Sequence, residues 1–236
     1  MKDDQHIELA ADATLRAMAL RCASTGSVDR RPTRSDLRTK VRLRTSGSLI
    51  VFVIDASDSM SVERRMAVAK GAVMALLVTA EVSGDRVALV SFAGESAELA
   101  LPPTASLVLA RARLRRLPTG GATPLAAGLS RALELVRTER RRDPLVRPCL
   151  VLSSDGEANV PRRAGVDVAA DVDAVADEIR KEGIAAVVLD TNARFSCSAS
   201  LQGLARRLGA KYRAVHDLNA GEVVGLVRGL APVPSR

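Results

Sequence analysis

The sequence predicts an α/β fold: a doubly wound, mostly parallel six-stranded sheet with one short antiparallel edge strand and helices on both faces. Three observations predict it. Short apolar runs alternate with longer stretches of helical period, the pattern of successive β-α units. The first run, "LIVFVID" at Leu49 to Asp55, is too continuous for a half-exposed strand and reads as a central one buried on both faces. Oxygen-bearing residues follow the ends of two such runs, where a sheet of this kind places its ligand site.

The elements follow in order. After Leu49 to Asp55 comes a helix from about Val62 to Val82, with Met66, Val73, Met74 and Leu77 on its inner face. "DRVALVSFAG" is the next strand, and "SAELALPP" is its short hairpin partner, whose prolines suit an edge or a stop. Helices are expected at Ala105 to Leu117 and Pro124 to Arg137, with Pro124 in the first turn. Strands at Cys149 to Asp155, Ile184 to Asp190 and Lys211 to Asp217 complete the sheet. Helices near Ala169 to Glu182, Ser200 to Leu208 and Ala220 to Leu230 fill the gaps. Residues 1–48 differ in character, pairing an amphipathic stretch, Ile7 to Leu20, with an Arg-rich, Pro-interrupted segment. They read as an amino-terminal arm, 49–230 as the domain, and 231–236 as a tail.

Composition narrows the function. Of 236 residues, 47% are hydrophobic but only 2% aromatic, so the core is aliphatic and base stacking is nearly excluded. The net charge of +8 is mostly Arg, in "DRRPTRSDLRTKVRLR", "RARLRR" and "RTERRRD". The last two read as solvated helix faces, and nucleic acid is not the expected partner. No apolar stretch reaches membrane-spanning length, and the amino terminus lacks a secretory apolar segment, so the expected location is cytoplasmic. Cys22, Cys149 and Cys197 fit neither a disulfide framework nor a zinc site and read as plain thiols.

Three oxygen-rich words fall at the expected site: "DASDS" at Asp55 to Ser59, "TGGATP" at Thr119 to Pro124, and "SSDGEAN" at Ser153 to Asn159. Hydroxyls and carboxylates from three loops suit a hard divalent cation such as Mg²⁺, which takes oxygen ligands and keeps some of its waters. The only histidines, His6 and His216, lie elsewhere in sequence.

Asp55-x-Ser57-x-Ser59, Thr123 in a Gly-rich loop and Asp155-Gly156 together resemble the metal-ion-dependent adhesion site of von Willebrand factor A domains, over about Leu49 to Leu230. The resemblance implies that Ser57, Ser59 and Thr123 ligate Mg²⁺ (or Mn²⁺) through hydroxyls. Asp55 and Asp155 would hold it mostly through waters, and a partner's carboxylate would fill the remaining position. Asp58, Gly121 and Glu157 would form the partner-binding rim. Flanking words such as "RSDLRTKVRLRTSGSLIVFVIDAS" and "LRRLPTGGATPLAAGL" resemble the carboxyl-terminal region of the D subunit of magnesium chelatase and of cobalt-chelatase subunits, which insert metal into tetrapyrroles. This implies a non-catalytic interaction subunit for an AAA+ ATPase or large chelatase partner. The family's AAA+ module and acidic linker are not in this sequence, and no G-x-x-x-x-G-K-[ST] loop occurs, so this chain is expected to bind no ATP.

Asp58 stands where that family usually has Gly. It is expected to point away from the ion and to cap or face solvent, and its charge to favour cation retention and oppose a docking carboxylate. Rival readings are weaker on residue grounds. Ser and Asp at a helix start can be simple caps, but capping does not account for Thr123 and Asp155. A phosphate cradle at "TGGATP" lacks its Lys. Phosphoester hydrolysis would rest on Asp58 or Glu157, with no His or nucleophile paired in sequence. "DAS" also resembles aspartyl-nucleophile phosphatases, whose second Asp would have to replace Ser57. An AAA+ machine outside tetrapyrrole synthesis is the alternative setting for the same clasp.

Overall fold

The structure, a computed structural model, describes residues 9–26, 31–39, 47–57, 62–115, 120–191, 198–214 and 219–230. The chain forms two compact units, Met1–Arg44 and Thr45–Arg236.

In the first unit, α1 runs over Ala11–Thr25 and ends at Gly26, which takes the left-handed conformation. The expected amphipathic stretch does not set these bounds. Thr14 is the one buried residue described in α1, while Leu15 and Leu20 are exposed. Polar ties hold the unit instead. Arg21 donates from Nε to both oxygens of the buried Asp36, at 3.1 and 3.0 Å, and the Thr33 N–H and hydroxyl bond the same carboxylate. Arg38 returns along the helix, its N–H on the Thr14 hydroxyl at 3.1 Å and its carbonyl accepting from the Ala10 N–H. The Thr33 backbone N–H, first, holds the Asp36 carboxyl below its ordinary value.

The second unit contains strands β1 (Ser48–Asp55), β2 (Arg86–Ala93), β3 (Ser96–Thr104), β4 (Arg147–Ser154), β5 (Ala185–Asp190) and β6 (Lys211–Ala214). Its helices are α2 (Val62–Ser83), α3 (Leu107–Leu114), α4 (Leu125–Arg142), α5 (Val168–Lys181), α6 (Ala199–Leu208) and α7 (Ala220–Arg228). The sheet order is β3-β2-β1-β4-β5-β6, with β2 and β3 antiparallel and every other pair parallel. No described helix is long and apolar enough to cross a membrane.

Alternation along β1 explains the two layers. All eight of its residues are buried. Leu49, Val51 and Val53 face one core with α4, α5 and α6, whereas Ile50, Phe52 and Ile54 face a second core with α2, α3 and α7. Both cores are aliphatic, with Phe52 and Phe92 as their buried rings.

Several boundaries differ from the sequence expectation. The edge strand β3 is longer and carries Pro102 and Pro103 inside it, where the register against β2 shifts between Val87 and Leu89 and again before Val90. A proline has no N–H to offer the ladder, and the edge position with its irregular pairing accommodates that loss. Helix α3 is shorter, starting after Ser106, whose hydroxyl accepts the Leu109 N–H. Pro124 is the N-cap of α4 rather than a first-turn residue. Helix α4 continues to Arg142, with a basic last turn that suits the carboxyl end of a helix and is partly paired. Arg137 pairs with Glu178 and Glu182, Arg140 with Glu182, and the buried Glu139 with Arg142 and Arg86. Of the predicted sixth strand, residues 215–217 lie outside the described residues.

Cys149 lies buried in β4, and burial pushes its thiol up to about 12. Cys22 is half-buried in α1, and Cys197 lies outside the described residues.

Two consequences are measurable. A Cβ at Gly128 of α4 would stand 2.5 Å from Cδ1 of the Phe92 ring, which is fully buried. Gly128→Ala is therefore expected to lower unfolding free energy in urea by about 1–3 kcal/mol, the cost of forcing extra atoms into a packed core. Arg162 donates from Nε and Nη2 to Asp171 at 2.9 and 2.7 Å, holding that carboxyl below its ordinary value of 3.8. The pair's stabilisation is complete above that value and fades as pH falls through the lower folded-state value. Asp171→Asn should cost about 2 kcal/mol at neutral pH, with the gap to the parent closing in acid melts.

Candidate metal centre

The site is built at the carboxyl end of β1, between the β2 and β4 neighbours. Because β1 and β4 run parallel with Ile54 opposite Ser153, Asp55 and Ser154 end their strands side by side. Asp55 is fully buried, and hydroxyls engage both of its oxygens. Ser57 donates from its hydroxyl to Oδ1 at 2.6 Å and from its N–H at 3.1 Å, and the Ser154 hydroxyl donates to Oδ2 at 2.8 Å. A hydroxyl whose hydrogen is committed to a carboxylate keeps its oxygen lone pairs for a cation. Asp55 thus orients hydroxyls.

The Gly-rich loop is bound in from two sides. The Gly120 N–H donates to the Ala56 carbonyl at 2.8 Å, joining this loop to the turn after β1, and the Ala122 carbonyl accepts from the Gly94 N–H at 2.8 Å. Gly121 has φ +90, and a Cβ there would meet the Gly94 Cα at 3.0 Å, so the close approach of these two turns requires glycine. On the far side Asn159 clamps Thr123: its Oδ1 accepts the Thr123 N–H at 2.7 Å and its own N–H donates to the Thr123 carbonyl at 3.2 Å.

Thr123 is only 4% exposed, yet among the described residues its hydroxyl makes no hydrogen bond. Leaving such a group unsatisfied is costly, and a hard cation would satisfy it. Asp155, also buried, follows β4, and its Oδ1 accepts the Glu157 N–H at 3.3 Å. These residues fit a divalent cation bound by hydroxyls with carboxylates behind them. Among the described residues no three His, Cys, Asp or Glu side chains cluster, so hydroxyls are needed to complete a donor set.

The structure therefore brings Asp55, Ser57, Thr123 and Asp155 to one end of the sheet, with Gly121 and Glu157 exposed on their loops. Ser59 and Asp58 lie outside the described residues. Sequence reasoning passed over Ser154 and Asn159, although both stand inside "SSDGEAN". The signal available for Ser154 was a second Ser at the strand end. For Asn159 there was none, because its partner is a backbone group 36 positions away.

A further support comes from β5. The buried Asp190 accepts the Tyr212 hydroxyl at 2.5 Å and the Ser198 N–H at 2.9 Å, fixing the start of α6. From there the Ser200 hydroxyl donates to the Gly156 carbonyl at 3.2 Å, bracing the loop that carries Asp155.

The signature of the von Willebrand factor type A domain matches residues 50–157. The chain is 37% identical to the magnesium-chelatase 67 kDa subunit of Chlorobaculum parvum, over 80% of this chain and 32% of that protein. It is 31% identical to the uncharacterized protein MJ0910 of Methanocaldococcus jannaschii, over 72% of this chain and 98% of that protein. Among solved structures, the von Willebrand factor domain of the type V pili tip protein Mfa5 from Porphyromonas gingivalis superposes with a TM-score of 0.58 at 15% identity, covering 81% of this chain and 99% of that one. The chain spans about a third of the length of the first curated relatives it matches.

The Asn159 clamp has a direct readout. Asn159→Ala removes the acceptor of the Thr123 N–H, and amide exchange at Thr123 should accelerate by about tenfold or more, as expected for one lost hydrogen bond. Unchanged protection would show that the loop is held without it.

Proposed function

The chain belongs to the von Willebrand factor type A family, and on that premise we propose that it is a non-catalytic, Mg²⁺-dependent docking module that engages an acidic side chain of an AAA+ ATPase or chelatase partner. One observation carries this reading: the buried Thr123 hydroxyl without a partner among the described residues, on a loop tied to the Ser57 turn through Gly120 and Ala56. Ser57, Ser59 and Thr123 would hold the ion (Mn²⁺ being the other candidate) through their hydroxyls, and Asp55 and Asp155 through waters. The ion supplies a positive centre on which a partner's carboxylate completes the coordination.

The module's own residues do the remaining work. Asp55 fixes the hydroxyls of Ser57 and Ser154, Asn159 holds Thr123 in place, and Gly121 lets the loop approach Gly94. The setting we propose is metal insertion into a tetrapyrrole, on the strength of the likeness to magnesium-chelatase subunits. The metal inserted would be a substrate, distinct from the ion in the clasp. Nucleotide hydrolysis is assigned to the partner, as the sequence contains no phosphate-binding Gly-Lys loop.

The test combines calorimetric Mg²⁺ titration with co-purification of an AAA+ ATPase subunit. Thr123→Ala should weaken Mg²⁺ binding by about tenfold or more, Thr123→Ser should largely restore it, and partner capture should disappear with EDTA or Asp55→Ala. Capture indifferent to chelation and to these variants would rule out a metal clasp.

A further inference from the structure

We infer that the exposed face of α3 is a second contact surface for the same partner, reading an acidic segment with an apolar side chain at its centre. The inference rests on the docking role proposed above. Helix α3, "LVLARARL", buries Ala110 and Leu114 and contains no acidic residue. At 100° per residue its opposite face centres on Ala112, with Val108 and Leu109 beside it. Val108 is 79% exposed, a bulky apolar side chain in water without a packing partner. On the same projection Arg111 and the C-cap Arg115 line one flank of this apolar stripe, and Arg113 lines the other.

These arginines differ from several others of the fold. Arg137, Arg140, Arg142, Arg162 and Arg207 each pair with carboxylates of the fold. Arg111, Arg113 and Arg115 are exposed and make no ion pair among the described residues. An apolar centre rimmed by unpaired guanidinium groups is complementary to an apolar residue flanked by Asp or Glu. Nucleic acid fits less well, because the face offers no aromatic ring to stack on. A lipid surface fits less well because two helical turns of Val, Leu and Ala provide little to insert.

Position supports a shared partner. Arg115 precedes Gly120, the first described residue of the Thr123 loop, by five positions, an extended reach of at most about 18 Å. One acidic segment can thus reach both the clasp and this face.

The experiment uses the whole chain and a short fluorescein-labelled peptide carrying one Leu flanked by Glu residues, read by anisotropy. Arg111→Glu combined with Arg115→Glu should weaken binding by about tenfold, an effect that shrinks in high salt, and Val108→Ser should weaken it less and with little dependence on salt. A control with the same change in net charge, Arg141→Glu combined with Arg163→Glu, exposed residues outside α3, should leave binding within about twofold, since net charge acting through screened solvent is weaker than direct contact. Equal losses in the two double variants would mean that net charge, not this face, attracts the peptide, and would overturn the inference. So would preferential binding of phosphatidylglycerol vesicles or a single-stranded oligonucleotide to the same face. Thermal melts confirm folding of these surface variants. Mg²⁺ titration separates the two proposals: the α3 variants should bind Mg²⁺ as the parent does, and peptide binding that persists in EDTA leaves the α3 face standing even if the clasp fails.

Discussion

A carboxylate buried at the end of the central strand is the constraint on which the rest of this site depends. Asp55 has no contact with solvent, so each of its oxygens must find a donor within the protein. Ser57 and Ser154 supply the donors, one from its own turn and one from the neighbouring strand. That requirement fixes the register of β1 against β4 at their ends and folds the chain after β1 back over the strand. The same turn then offers the Ala56 carbonyl to Gly120 and brings in the Gly-rich loop. A buried charge thus serves organisation as much as chemistry, since a wrong register would leave it unsatisfied.

The sheet makes such a carboxylate possible. With both faces of β1 covered by aliphatic layers, the strand interior is dry, and polarity is confined to its ends. Parallel neighbours deliver Asp55, Ser154 and Asp190 at adjacent strand ends, and all three are fully buried. Asp190 repeats the device one strand further out, using Tyr212 and the Ser198 N–H, and so positions α6 against the Gly156 loop. Rigidity at this end of the sheet comes from hydrogen bonds between loops, whereas rigidity in the middle comes from packing.

Much of this was legible in the chain. The strands were, because unbroken apolar runs leave few alternatives, and so was the placement of Asp55, Ser57, Thr123 and Asp155 at one end of the sheet, because each sits in a short word at a strand or helix end. Element ends were harder to read. Helix α4 outlasts its apolar pattern, and there Arg137 and Arg140 pair with Glu178 and Glu182, on and just after another helix. Strand β3 outlasts its prolines because the edge tolerates missing donors. In the first unit, the amphipathic stretch expected over Ile7 to Leu20 does not mark the bounds of α1, and among the described residues the polar ties of Arg21, Asp36 and Arg38 join the helix to the segment after it.

What the sequence determined by itself was the class of fold and the gathering of oxygen-bearing side chains at the strand ends, because these follow from local periodicity and side-chain chemistry. Only the tertiary structure decided that Asn159 clamps Thr123, that Ser154 completes Asp55 and that the α3 arginines stand without ion pairs while Arg137, Arg140 and Arg142 of α4 are paired. Each of these is a relation between groups far apart in the chain, set by which backbone and side-chain partners the packed sheet brings within hydrogen-bonding distance.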